Sequence, residues 1–418
     1  MRRLLTFDLS LTLILLLSCL SVAHPSPTPV EAESVPDTIV KRAVCTPSSG
    51  ASASIDDVPS IRQAITACGN GGTIVLPADK TYMLKSQLDF AGCVNCDIQI
   101  EGRIKASDDL TYWNGKRYMI QLNGVKGANI RSLTGSGQID GNGQAAWDRF
   151  ATDTNFKRPT LLVISASSNV AVSGLHFKNA QNVFVSVGSG STRLAFSNLD
   201  LRAISKTANR PKNTDGFDIG GCSDVTMSSI YVENQDDCIA FKPGCNYLTV
   251  TDITCVGSHG LSVGSLGKSP GGYDTVQNVY VRGAIMRNST KAAGIKLYPG
   301  GSAHGTALVR NVTWEDITVD NCDYAFQHSA CYNEDEAYCK TNPSVAKVTG
   351  IRLKNFRGMT SSKKAPTVAE VYCAIEGSDC DIKVENWKVK SPQSSSNFLC
   401  DQISGQELGL TCIQTDPY

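Results

Sequence analysis

The amino-acid sequence predicts an all-β fold, a single right-handed parallel β-helix with a short capping helix at its N-terminal end. Three observations predict it: a two-strand motif that recurs along the chain, a repeat length close to one turn of such a coil, and one amphipathic helical window ahead of the repeats. The motif has the form apolar-x-apolar-x-x-apolar-x-apolar. It reads VAVSGLHF from Val170, LAFSNLDL from Leu194, VTMSSIYV from Val225, LTVTDITC from Leu248 and IKVENWKV from Ile382, with looser copies around Val279 and Val309. Apolar and polar residues alternate on both sides of a bend held by Asn, Gly, Ser or Asp, so each copy describes two short strands joined by a turn. Where no loop intervenes the copies stand about 23 residues apart, which is a solenoid spacing rather than that of a sandwich. Each coil then hydrogen-bonds to the next and stacks its inward side chains into one continuous core.

An open coil leaves strand edges bare at its ends, and bare edges aggregate unless covered. The segment DDVPSIRQAITACGNGG supplies a cover: Ile61, Ala64 and Ile65 share one helical face, Pro59 lies near the start and Gly69 follows the end. Ahead of it, Arg2 and Arg3 precede the apolar run Leu9 to Val22 and a small-residue site ending at Ala23, which reads as a secretory signal peptide over 1–23. Residues 24–42 are rich in Pro, Ser, Val and Glu and close on Lys41-Arg42; they read as a pro-segment. The stretch 43–418 has no internal linker and reads as one elongated β-helical domain.

Of sixteen cysteines, Cys19 would leave with the signal peptide, so fifteen meet an oxidising compartment and at least one thiol stays unpaired. Local pairs that fit are Cys45 with Cys68, Cys238 with Cys255, Cys331 with Cys339, Cys373 with Cys380, and Cys400 with Cys412. Only Cys93 and Cys96 have metal-ligand spacing, and no second pair or histidine follows them suitably, so no metal site is expected. Asn288 and Asn311 head N-glycosylation sequons. The net charge of zero gives no reason to expect nucleic acid or membrane as partner, and an anionic substrate would need a local basic patch.

The repeat length aligns one set of polar residues. DGFDIG from Asp215, DCIAFKPG from Asp237 and HGLSVG from His259 share a pattern, and the two intervals, 215 to 237 and 237 to 259, are equal. Asp215, Asp237 and His259 therefore form a column, one coil apart each, with neighbouring strands roughly 4.8 Å apart. AGIKL from Ala293 continues the series and puts Lys296 one coil further, at the position of Ser262, Ala240 and Asp218. Asp and Asn commonly form turn ladders in solenoids. Here Asp215, Asp236 and Asp237 bring three carboxylates together, which repel one another, and His259 and Lys296 add cations beside them. That is a catalytic arrangement: close carboxylates suit glycoside hydrolysis, in which one acid protonates the leaving oxygen and another carboxylate works on water. Crowding raises one pKa and leaves another low, so both states coexist at one pH. The rival is a calcium-dependent lyase built on the same acids.

At these residues the sequence resembles a known family. NTDGFD from Asn213, NQDDCIAFKPG from Asn234, GSHGLSVGSLG from Gly257 and GIK from Gly294 are similar, in order and spacing, to the four motifs of the polygalacturonases, the glycoside hydrolases of family 28. The resemblance spans essentially all of 43–418. It implies a secreted, monomeric enzyme that hydrolyses α-1,4-galacturonosyl bonds of pectin with inversion and without a cofactor. By position it implies Asp236 as general acid, Asp215 and Asp237 as the pair that holds and deprotonates water, His259 as the group tuning the acid, Lys296 as a carboxylate-binding lysine, and a Cys238–Cys255 bridge. Tyr332 matches a substrate-contacting tyrosine loosely. Two departures stand out: Gly294 replaces the family's arginine, and Lys242-Pro243-Gly244 replaces Asn-Ser-Gly, which brings Lys242 to the substrate. Loss of the arginine removes a bidentate carboxylate clamp and opens room beside Lys296. The wording GSHGLSVGSLG and AAGIKLYPGG is most similar to fungal xylogalacturonan hydrolases, with exo-polygalacturonases as the second reading and a non-catalytic polysaccharide-binding relative as the third.

Overall fold

The computed structural model describes residues 42–374 and 380–416; the signal peptide expected over 1–23 and, apart from Arg42, the pro-segment expected over 24–42 lie outside the described residues. Every strand pairing is parallel, in a twelve-stranded sheet and an eighteen-stranded sheet that wind round one core. The repeat motif is in register throughout: Cys96, Ala128, Val170, Leu194, Val225, Leu248, Val279, Val312, Ile351 and Ile382 stack one above the next. All ten are buried. The copy sought around Val309 is carried by Val312, and the column starts well before residue 165, where small residues such as Ala128 hide the motif from a reading based on hydrophobicity.

Between the two strands of each motif the chain turns at Gly174, Asn198, Ser229, Asp252, Gly283, Asp316, Asn355 and Asn386, all with φ between +52° and +73°. Asn and Asp tolerate this left-handed conformation because their short polar side chains bond locally. The Asn355 amide donates to Asp316 Oδ1 at 2.8 Å, and the Asn386 amide donates to Asn355 Oδ1 at 2.9 Å. The bends thus carry their own ladder outside the main-chain one.

The capping helix runs Val58–Cys68 and buries Val58, Ile61, Ala64, Ile65 and Cys68 against the first coil, with Pro59 in its first turn, where the missing N–H does no harm. The five proposed disulfides are all present, Cys45–Cys68, Cys238–Cys255, Cys331–Cys339, Cys373–Cys380 and Cys400–Cys412. Cys93 and Cys96 also bridge each other, leaving Cys222, Cys245 and Cys322 as buried thiols. A helix the sequence reading did not foresee, Gln144–Thr152, is pinned by Trp147, whose indole N–H donates to the Ala180 carbonyl at 3.1 Å.

Ile351 lies fully buried between Val312 and Ile382 in the stacked column. Ile351→Ala is expected to destabilise by about 2–5 kcal/mol, whereas Ile204→Ala on the surface should stay within about 0.5 kcal/mol. Denaturant titration of both variants checks the contrast.

Candidate active site

The strands Phe217–Ile219, Ile239–Phe241, Leu261–Leu266 and Lys291–Leu297 are neighbours in the twelve-stranded sheet. Their pairing aligns Phe217, Ile239, Leu261 and Ala293, so Asp215, Asp237 and His259 sit one coil apart each, as the repeat length required. The fourth row differs from expectation. Gly294 pairs with Ser262, and Lys296 pairs with Gly264, two residues along. Ala293, a small residue, fills the place of Leu261, so an alignment guided by large apolar residues slips by two. The same register puts Lys291 directly after His259 in the acid column, a residue the sequence reading passed over.

The backbone that carries the acids is clamped from below. The buried Asn234 amide donates to the carbonyls of Thr214, at 2.7 Å, and Asp237, at 2.9 Å. The Cys238–Cys255 disulfide follows immediately. Asp237 is almost wholly buried and its two oxygens are both engaged: Oδ1 accepts from the Ser262 hydroxyl at 2.8 Å, and Oδ2 meets the Lys296 ammonium at 2.6 Å. Asp236 Oδ1 accepts from the Asp237 N–H at 2.8 Å and faces His259 Nδ1 at 3.2 Å, while its Oδ2 accepts from the Asn213 amide at 3.3 Å. Arg158 fixes that asparagine by donating to its Oδ1 at 2.8 Å and to the Lys212 carbonyl at 2.6 Å, with its guanidinium 3.7 Å from the centre of the Phe150 ring.

These surroundings split the acids electrostatically. Burial, then the negative charges of Asp218, Asp236 and Asp237, push the Asp215 carboxyl well above the usual carboxylate range. Burial also raises Asp218, against the pull of Lys242, which lies 3.4 Å from it. For Asp236 burial acts upward too, but the hydrogen bond and charge of His259, the Asp237 N–H and Lys296 outweigh it and hold the group below the usual range. The sequence anticipated one raised and one lowered acid; the raised one is Asp215, not the Asp236 assigned as proton donor. Burial pulls Arg158 down to about 10. Lys242 and Lys296 are also desolvated, yet the neighbouring carboxylates raise both.

Asp215, Asp218, Asp236, Asp237, Lys242, Lys296, Tyr332, Asn213, Arg158 and Lys157 line one cleft of about 540 Å³. The Lys296 ammonium lies 5.4 Å from the centre of the Tyr332 ring, and Lys242, the third residue expected at the substrate, lines the same cleft. His259 faces an adjoining concavity, where Asn288 is also found. A further hollow on the eighteen-stranded sheet, with Tyr247, Tyr280 and the second sequon residue Asn311, has no cluster of acids. Arg158, Asp218, Ser262 and Lys291 were missed as site residues. The column arithmetic reaches the last three; Arg158 lies ahead of the legible repeats.

Atoms of Asp236, Asp237 and His259 lie within 4.8 Å of one another, close enough to share a cation. Their chemistry does not suit calcium, which takes roughly six to eight oxygen ligands: one donor is an imidazole, and both Asp237 oxygens are taken, one by an ammonium. His328 also meets Cys373 and Cys380, but those sulfurs are bonded to each other.

A parallel β-helix with a buried carboxyl cluster in an open, cation-edged cleft defines a glycosidase acting on an acidic polysaccharide. The chain belongs to the glycosyl hydrolases family 28, whose family model matches residues 68–412. It is 53% identical over 393 residues to "Endo-xylogalacturonan hydrolase A" of Aspergillus tubingensis, covering 94% of this chain and 96% of that one. It is 57% identical over 359 residues to "Probable endo-xylogalacturonan hydrolase A" of Emericella nidulans, covering 86% and 89%. The crystal structure of the A. tubingensis enzyme superposes with a TM-score of 0.86, over 89% of this chain and 99% of that one. A polygalacturonase from Erwinia carotovora, 17% identical, shares the fold at a TM-score of 0.66, with 90% and 97% covered.

A raised carboxyl and a lowered one act on stability in opposite senses. Asp236 contributes stability that is present above the ordinary carboxylate pKa of 3.8 and is lost as pH falls through its depressed value. Asp215 is the reverse: as pH rises from 3.8 toward its raised value the unfolded chain ionises this carboxyl while the buried one keeps its proton, so stability falls over that window. Asp215→Asn is therefore expected to melt higher than wild type at pH 7, with the gap closing by about pH 3, in thermal scans across pH.

Proposed function

We propose that the chain is a secreted, monomeric hydrolase that cleaves α-1,4-galacturonosyl bonds inside a xylose-substituted galacturonan, with inversion. The observation that carries this is the cleft itself, in which three crowded carboxylates are flanked by Lys242, Lys296 and Arg158. Cations suit an acidic backbone. The names of the relatives above support the same substrate. Six disulfides agree with an oxidising destination, and among the described residues no helix is long and apolar enough to cross a membrane.

In this reading Asp236 delivers the proton to the departing glycosidic oxygen. The electrostatics of the free site require a route for it, and the Asp236–His259 contact provides one. At 3.2 Å a proton on the imidazole can pass directly to the carboxyl, and an anionic sugar beside Asp236 favours the protonated carboxyl. Asp237, held against Lys296 at 2.6 Å, orients the attacking water. Burial and like charges raise the proton affinity of Asp215, so its ionised form is a strengthened base and takes the water's proton. Lys242, paired with Asp218, and Tyr332 hold the sugar chain.

Asp236→Asn should fold as wild type and lose roughly 10²–10⁴ of its turnover; near-normal turnover would remove Asp236 from the role of acid. Incubation with xylogalacturonan should give short branched oligomers, unaffected by chelator and without the ultraviolet absorbance of unsaturated products. Release of monomer alone from unbranched polygalacturonate would favour the exo-acting reading instead.

A further inference from the structure

Lys291 is a lysine that the mechanism above does not use. It is 6% exposed and follows His259 by one coil in the acid column. Among the described residues it makes no hydrogen bond and has no carboxylate within ion-pair distance; Asp237 and Asp236 act on it only from further away, and the Lys296 ammonium opposes its charge. An ammonium buried without an acceptor is costly. Burial pulls Lys291 down to about 8.

The course of its stem is marked by two glycines. A Cβ at Gly260 would stand 3.0 Å from Lys291 Cγ, and a Cβ at Gly294 would stand 2.8 Å from its Cδ and 3.0 Å from its Cε. Gly294 is the position at which the sequence departs from its family by lacking an arginine. The expectation that this glycine leaves open room beside Lys296 is therefore corrected, since the Lys291 stem lies across it. The Gln327 carbonyl, 2.5 Å from the same Cβ position, closes it from the other side. Lys296 in turn is committed to Asp237 at 2.6 Å.

We propose that Lys291 is a substrate-binding residue whose ammonium, beside the cleft-lining Asp236, Asp237 and Lys296, takes a galacturonate carboxylate, supplying the charge that a side chain at 294 would otherwise supply. This rests on the galacturonan reading above. The bound carboxylate is the acceptor that Lys291 lacks. A lysine offers the sugar carboxylate a point charge without the planar fork of an arginine.

The test is steady-state kinetics of Lys291→Met, which keeps the apolar stem and removes the charge, and of Lys291→Arg, which keeps the charge. Wild type on xylogalacturonan and on unbranched polygalacturonate comes first. Wild type that cleaves only the unbranched polymer sinks the substrate assignment, and Lys291 is then tested on that polymer. Lys291→Met is expected to raise KM at least about tenfold with kcat within about threefold, and Lys291→Arg to recover most of the loss. An unchanged KM, or a fall in kcat at constant KM, overturns the proposal, the latter by assigning Lys291 to the acids. A second measurement on unaltered protein covers a variant that does not fold: trace acetylation of Lys291 read by mass spectrometry. Trigalacturonate should protect it and neutral galactose oligomers should not; equal labelling with and without trigalacturonate overturns the proposal.

Discussion

The structure depends on one constraint, the in-register parallel ladder between successive coils. Because every coil hydrogen-bonds to its neighbours residue for residue, a polar side chain at one position is held about 4.8 Å from its counterpart on the next. That is how Asp215, Asp237 and His259 come together from segments 22 residues apart without any loop having to fold over them. Each of the three lies two residues ahead of a paired strand, so the strands anchor the turns that carry them, and a site built for proton transfer needs that tightness. The hydrophobic column from Cys96 to Ile382 is what holds the register, since a slip of one residue would turn each buried side chain outward.

The same constraint imposes the site's main difficulty. Four carboxyls packed on adjacent coils cannot all be charged, and the protein answers with unequal partners. Asp237 receives an ammonium and a hydroxyl, Asp236 an imidazole, a backbone N–H and an amide, and Asp218 a more distant lysine. Asp215 is left with burial and like charges, so its proton affinity rises. The division of labour among chemically identical side chains thus follows from what each touches. Cations around the cleft are equally uneven: Lys296 and Lys242 face acids, whereas Lys291 faces none at close range.

Much of this was legible in the sequence, because a solenoid writes its contacts as a repeat length. Asp215, Asp237 and His259 fell into line by counting, and the apolar alternation of Val225 and Leu248 gave strands, bend and core at once. The count failed where the repeat loses its large residues. Ala293 in place of Leu261 displaced Lys296 by two positions and concealed Lys291, and Ala128 concealed the coils before residue 165. Arg158 and the helix Gln144–Thr152 stayed out of reach for another reason: they belong to a wall beside the coil, and no periodicity ties them to Asn213, which Arg158 braces. The unequal proton affinities were foreseen as a kind of outcome but not in their assignment, since hydrogen bonds to Asp236 come from His259 and Asn213 in three dimensions.

The left-handed bends have a chemical consequence of their own. Asparagine ages by attack of the following residue's nitrogen on the side-chain amide, a reaction that is slow when the next residue is bulky and the amide is held away. After Asn198, Asn278, Asn311 and Asn355 come Leu199, Val279, Val312 and Phe356, all locked in the core. The amides of Asn278, Asn311 and Asn386 are engaged in donating to the preceding coil. Asn278, Asn311 and Asn386 are thereby shielded from spontaneous deamidation, and the coil keeps its shape where they bend it.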